Sequence, residues 1–150
     1  IWSHQAVRAL YEPALVKCVQ LLLDAAADVD VALEMGYTPL MCCAFAGLSE
    51  VAAVLLDVNA DVHCIDEEGR TALHYTVMSH EESLVRKLVA ADAHPDLEDD
   101  LGCSAHDVAN AHGLHYFQEC EAKASDTSVS CPASLASECL QVLAAPVEPT

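Results

Sequence analysis

The sequence predicts an all-α protein, a helix-turn-helix solenoid with short hairpin fingers between its units. Three observations carry that expectation. Gly36, Gly69 and Gly102 fall 33 apart twice over (69 − 36 and 102 − 69), and they open the stretches GYTPLMCCAFAG, GRTALHYTVMSH and GCSAHDVANAHG. A second anchor keeps the same step: LLLDAAADVD ends at Asp30, VLLDVNADVH at His63 and KLVAADAHPD at Asp96. Two anchors in one register over three turns mark a repeat array in which each unit buries its apolar face on its neighbours. The third observation is composition: 53% of the residues are apolar but only 5% aromatic, so alanine, leucine and valine supply the core. Small aliphatic side chains suit closely packed helices, whereas sheets favour β-branched and aromatic residues.

The repeat array is expected over residues 1–123, in units of about 1–32, 33–65, 66–98 and 99–123. The first unit is degenerate. Val7 aligns with Leu40, Glu12-Pro13 falls where the inter-helix turn belongs, and Cys18 to Ala25 reads as a second helix. In the following units Thr38, Thr71 and Ser104 place a hydroxyl where the first helix starts, so each can cap free backbone N–H groups. Pro39 then occupies the first helical position, where its missing N–H costs nothing. These helices run to about Phe45, Met78 and Ala111, and Gly47 and Gly113 allow the tight turn that follows. In the second helices Val51, Val54, Leu55 and Val58 recur at i, i+3, i+4 and i+7, a one-sided apolar face. Leu84, Val85, Leu88 and Val89 form the same face one unit later. The Ala-Asp-Val motif and the acidic stretch after it suit an extended finger rather than more helix. From residue 124 to 150 the character changes: SDTSVSCPAS reads as a linker. Beyond it, Leu135, Cys139, Leu140 and Leu143 have helical spacing, so residues 134–144 read either as a short docking helix or as part of an unstructured end.

The 33-residue period, the GxTPL and GRTALH openings and the LLxxxADV closings resemble ankyrin repeats, most closely over residues 33–98. The fourth unit is decayed, with His106 where Leu40 and Leu73 stand and Glu121 where Leu55 and Leu88 stand; a terminal repeat needs such a polar outer face. The resemblance implies a non-enzymatic protein–protein interaction module, a scaffold or an accessory subunit of a larger complex. It also implies contact through the finger tips and the concave face of the first helices. Carried over position by position, the partner-binding residues are Glu34, Met35, Tyr37, Phe45 and Ala46 in the second unit. They are Glu67, Glu68, Arg70, Met78 and Ser79 in the third, and Asp100, Leu101, Cys103, Ala111 and His112 in the fourth. His74 matches the histidine of the TPLH-type opening, which implies a structural role bonded to backbone. Three positions depart from the pattern: Leu33 replaces the finger aspartate of Asp66 and Asp99, His80 replaces the turn glycine, and His94-Pro95 interrupts the third finger.

Charge narrows the partners. Six Lys and Arg against 24 Asp and Glu give a net charge of −18. Nucleic-acid binding needs basic patches, so it is excluded, and anionic membrane surfaces repel such a chain. No apolar run reaches the roughly 18 residues of a membrane helix. The expected partner is therefore a protein with a basic or amphipathic contact surface. The eight cysteines include Cys18, Cys42 and Cys43 inside apolar helical patterns, where a thiol behaves as a small hydrophobe. With no secretory leader visible, the reading is a reducing, intracellular compartment.

No cofactor, metal or catalytic residue is expected. There is no CxxC pair, adjacent Cys42 and Cys43 point to different sides of a helix, and His63 with Cys64 or His112 with Cys120 lack ligand spacing. Cys103 beside His106 is the one pair with the residue types of a nucleophile and base, without a pocket or phosphate loop to serve it. Asp96, Glu98, Asp99 and Asp100 share only their charge with a calcium loop. Two alternatives stay open: a regulator that responds to redox state or metals through its Cys and His residues, and the ankyrin part of a larger enzyme or channel.

Overall fold

The computed structural model describes residues 4–114, and these fold into six α-helices with no strand beyond one isolated bridge between Glu98 and Ser104. They are α1 (His4–Asp24), α2 (Pro39–Ala46), α3 (Ser49–Asp57), α4 (Ala72–Met78), α5 (Glu82–Ala90) and α6 (Ala105–Ala111). Helices α2, α4 and α6 stack in one row, and α1, α3 and α5 in the other. The docking-helix reading of residues 134–144, with the whole tail and Glu121, lies outside the described residues.

The row of first helices starts from three related caps. Thr38 Oγ1 accepts the Met41 N–H at 3.3 Å, and Pro39 fills the first turn. At the equivalent place Ser104 Oγ accepts the Asp107 N–H at 3.1 Å, while Asp107 accepts the Ser104 N–H in return. In the middle unit His74 takes the part of Asp107, its Nδ1 accepting the Thr71 N–H at 3.1 Å. A reciprocal pair of this kind satisfies two backbone donors that a helix start leaves over. Residue 41 is Met, so the second unit keeps only half of the device.

Between the rows the core is aliphatic and small. Leu40, Leu73, Ala44, Val77, Val51, Leu84, Ala52, Val85, Leu55 and Leu88 are all buried, in pairs 33 apart. Alanines at the contacts let helix backbones approach closely. Val58, expected on the buried face of α3, instead follows the helix end and is exposed.

The first unit differs from its expectation. No turn occurs at Glu12-Pro13; α1 is one helix of 21 residues with Pro13 inside it. The physical reason lies in the next unit. Leu48 precedes α3 without a capping side chain, and the buried Glu12 carboxylate accepts the Glu50 N–H at 2.8 Å instead. Arg8, one turn earlier, pairs with Glu81 and lies 3.9 Å from Glu12. Val16 and Val19 continue the same face onto the core. These anchors hold a continuous helix across the hydrogen bond that Pro13 cannot make.

The Arg8 side chain passes over Gly47, where a Cβ would lie 2.6 Å from Nη1. Gly47 also has φ +70°, so this turn needs glycine for conformation and for space. The equivalent residue one unit later is His80, which takes φ 58° with a side chain in place.

Candidate interaction surface

Each finger is a tight reversal closed by two backbone bonds. In the third unit the Asp66 N–H donates to Arg70 O at 3.1 Å and the Gly69 N–H to Asp66 O at 3.1 Å. The aspartate at the start organises the reversal. Asp66 Oδ1 accepts the N–H groups of Glu68 and Arg70, each at 2.9 Å. Asp99 does the same for Leu101 at 3.0 Å and Cys103 at 2.9 Å. Leu33 offers no acceptor, and in that finger alone the third residue, Met35, takes a left-handed backbone with φ 64°. Neighbouring fingers are laced by backbone, Glu67 N–H to Met35 O and Asp100 N–H to Glu68 O, both at 3.0 Å. The tips therefore form a continuous ledge.

The ledge meets the first helices at an aromatic cluster. Tyr75 is buried on α4, and its hydroxyl donates to Asp66 Oδ2. Burial, then the bond to Asp66, pushes its pKa well above that of an ordinary phenol. Tyr37 and Phe45 both lean edge-on against this ring, with centroids 5.9 and 6.2 Å away. Tyr37 is half-buried, but Phe45 keeps 58% of its surface exposed. Tyr75 was absent from the sequence-based set. Its signal was available as the one tyrosine inside α4, in the middle of a short and otherwise largely apolar helix.

Of the fifteen residues assigned from the resemblance, the structure exposes nine on the ledge and first-helix side: Glu34, Met35, Phe45, Ala46, Glu67, Asp100, Leu101, Ala111 and His112. Tyr37, Glu68, Met78 and Ser79 are partly covered. Arg70 and Cys103 are placed inside, 3% and 0% exposed. Arg70 is held between Glu68 and Asp99, whose Oδ2 lies 3.8 Å from Nε, so its charge serves the finger stack and not the surface. Fewer finger acids reach the surface than the sequence holds there, because Asp99 is buried with its carboxylate turned inward. Glu34, Glu67 and Asp100 remain.

His74 behaves as the resemblance implied. Its Nε2 lies 3.2 Å from Cys103 O, which ties α4 to the next finger. Burial, chiefly, holds its pKa below the usual histidine value. The residues weighed for chemistry are scattered. Among the described residues no three His, Cys, Asp or Glu gather as a metal ligand set. Cys103 is buried, and His106 Nδ1 faces Asp96 at 3.4 Å. Burial pushes the Cys43 thiol up to about 12 and raises Cys42 and Cys64 as well, which disfavours the reactive thiolate form. Among the described residues no helix is long and apolar enough to cross a membrane.

A stack of capped helix pairs with laced fingers defines a helical repeat protein. The family model for ankyrin repeats (3 copies) matches residues 3–99, and the chain belongs to the ankyrin repeat family. It is 35% identical over 89 residues to the Ankyrin repeat and KH domain-containing protein mask-1 of Caenorhabditis elegans, a match covering 58% of this chain and 3% of that one. It is 30% identical over 117 residues to the B-cell lymphoma 3 protein homolog of Mus musculus, covering 75% and 26%. A putative ankyrin repeat-containing protein of Treponema pallidum is 36% identical over 90 residues, covering 60% and 30%. The chain thus spans less than a third of the length of each of these relatives. Ankyrin repeats generally mediate protein–protein interactions.

Proposed function

We propose that this array is a non-catalytic scaffold or accessory module that grips a protein partner with a basic or amphipathic surface. The finger ledge and the α2–α4 side make the contact. The observation that carries the reading is Phe45. A large aromatic ring stands mostly exposed with its edge against Tyr75, and Glu34, Glu67 and Asp100 are exposed on the ledge. An exposed aromatic makes a good anchor, and charges around it steer association. The small share of each relative that the chain matches supports a companion reading, in which the array is the ankyrin part of a larger protein.

The test is recovery of partners on immobilised protein, followed by binding kinetics with the recovered partner. Phe45→Ala should weaken binding by about 1–3 kcal/mol, mainly through faster dissociation. Glu34→Lys with Glu67→Lys should slow association, most at low salt. Glu68 is left alone in that test because it pairs with the buried Arg70, and its loss would disturb the fingers themselves. If both variants bind as wild type while Leu135→Asp abolishes binding, the ledge is idle and the C-terminal segment makes the contact.

A further inference from the structure

Helix α1 has two apolar faces and the array uses one. Val16, Val19 and Leu23 turn toward the core side with Arg8 and Glu12. On the far side Leu10, Tyr11, Leu15, Leu21 and Leu22 are 68, 60, 41, 61 and 59% exposed. At 100° per residue these five, with Ala14, Cys18 and Ala25, form an unbroken apolar arc of roughly 140°. An apolar arc of this width is the kind that buries against another surface, not the polar side of a solvated helix. The five large side chains expose about 600 Å² together, the upper end of what monomers leave uncovered.

We propose that this face pairs with the same face of a second copy, giving a two-fold dimer through antiparallel α1 helices. Charge favours that occupant. The chain carries −18, yet α1 holds Arg8 and Lys17 against Glu12 and Asp24, a formal balance of zero for its acids and Lys and Arg (2 − 2). Of the acids that follow, Asp28 accepts the Asp30 N–H within its own turn and Asp30 accepts the Asp61 N–H of the next unit. Two copies can therefore meet at α1 without the repulsion that the acidic finger ledge would impose. A surface that is apolar throughout is also complementary to itself, as a two-fold contact requires. With Ala14, Cys18, Ala25 and the Lys17 stem added, each copy approaches the roughly 800 Å² of a specific but modest interface.

Cys18 is a built-in reporter, because it is exposed and lies near the midline of the arc. In an antiparallel pair the two Cys18 thiols come within reach of a short bis-maleimide spacer, since helix axes pack about 8–10 Å apart. The experiment is sedimentation velocity of the full chain from about 1 to 200 µM, with cross-linking and peptide mapping. A concentration-dependent dimer with a Cys18–Cys18 cross-link is expected, strengthened by salt as the residual repulsion is screened. Leu21→Glu with Leu22→Glu should raise the dimer dissociation constant at least tenfold with the helical spectrum unchanged, because both positions are already exposed. Ile65→Glu, an exposed apolar residue away from α1, should leave it unchanged. A wild-type monomer across the range overturns the proposal. If Cys18 is then freely labelled the face stands open, and if it is protected a segment of the same chain covers it. A dimer that Leu21→Glu with Leu22→Glu leaves intact also overturns it.

Discussion

Leu33 and Asp66 occupy the same place in successive fingers and show what one carboxylate does. Asp66 and Asp99 each satisfy two backbone N–H groups, whereas Leu33 satisfies none and its finger puts Met35 into the left-handed region. Leu33→Asp should therefore stabilise the fold by about 1 kcal/mol, read as a higher urea midpoint with unchanged slope. An unchanged or lower midpoint would mean that the finger prefers its present backbone to the restored carboxylate. His74 makes the complementary case. Its folded pKa lies below the ordinary 6.5 because burial penalises the charged ring. Above pH 6.5 the neutral ring contributes fully. As pH falls below 6.5, the unfolded chain takes up a proton that the folded one resists, and stability drops until the lowered folded value is passed. His74→Leu should cost about 1–3 kcal/mol at neutral pH, since it strands the Thr71 N–H and removes one of the two donors to Cys103 O, the Asp99 N–H remaining. The stability gap between wild type and variant should then narrow on acidification below pH 6.5, which unfolding at a series of pH values measures.

At the scale of the element, the helix starts were legible because capping is local chemistry. Thr38, Thr71 and Ser104 act within three residues of themselves, so their spacing in the sequence was sufficient. The continuity of α1 was not legible, because what overrides Pro13 is a contact 38 residues away, from Glu12 to Glu50. Local propensity said turn, and the tertiary anchor kept the helix. Similarly, the resemblance put Arg70 and Cys103 on the surface by position, but burial depends on what stacks above them. Glu12→Gln should keep α1 helical and cost about 1 kcal/mol, because the amide oxygen still accepts the Glu50 N–H while the attraction to Arg8 is lost. Glu12→Ala should cost more, through the uncapped start of α3. The turns allow a cleaner test. His80 takes φ 58° where Gly47 takes φ 70°, and a left-handed non-glycine residue carries strain. His80→Gly should raise stability by about 1 kcal/mol, whereas Gly47→Ala should lower it by about 1–2 kcal/mol, because φ +70° strains an L residue and its Cβ displaces the tip of Arg8. Thermal melts of the two variants give opposite signs if the turn geometry is as described.

For the whole molecule, charge and apolar surface are segregated, and this gives salt a diagnostic use. Of 24 acids, Glu34, Glu67 and Asp100 on the finger ledge face outward, whereas α1 balances its own charges. Three processes should then respond to ionic strength, two in one direction and one in the other. Folding brings like charges together, so raising salt from about 20 to 300 mM should raise the melting temperature as repulsion within the array is screened. Pairing of α1 faces should strengthen over the same range for the same reason. Capture of a basic partner by Glu34, Glu67 and Asp100 should weaken, because there the screened interaction is attractive. One salt series on one protein, read by melting, sedimentation and association rate, therefore separates the two surfaces. Partner binding that strengthened with salt would remove the acidic ledge from the contact and point to the apolar α1 face as the partner's seat. The variants then decide between them. Glu34→Lys with Glu67→Lys should flatten the salt dependence of partner association while leaving that of the dimer intact, and Leu21→Glu with Leu22→Glu should remove the dimer while leaving the partner's association rate as it was.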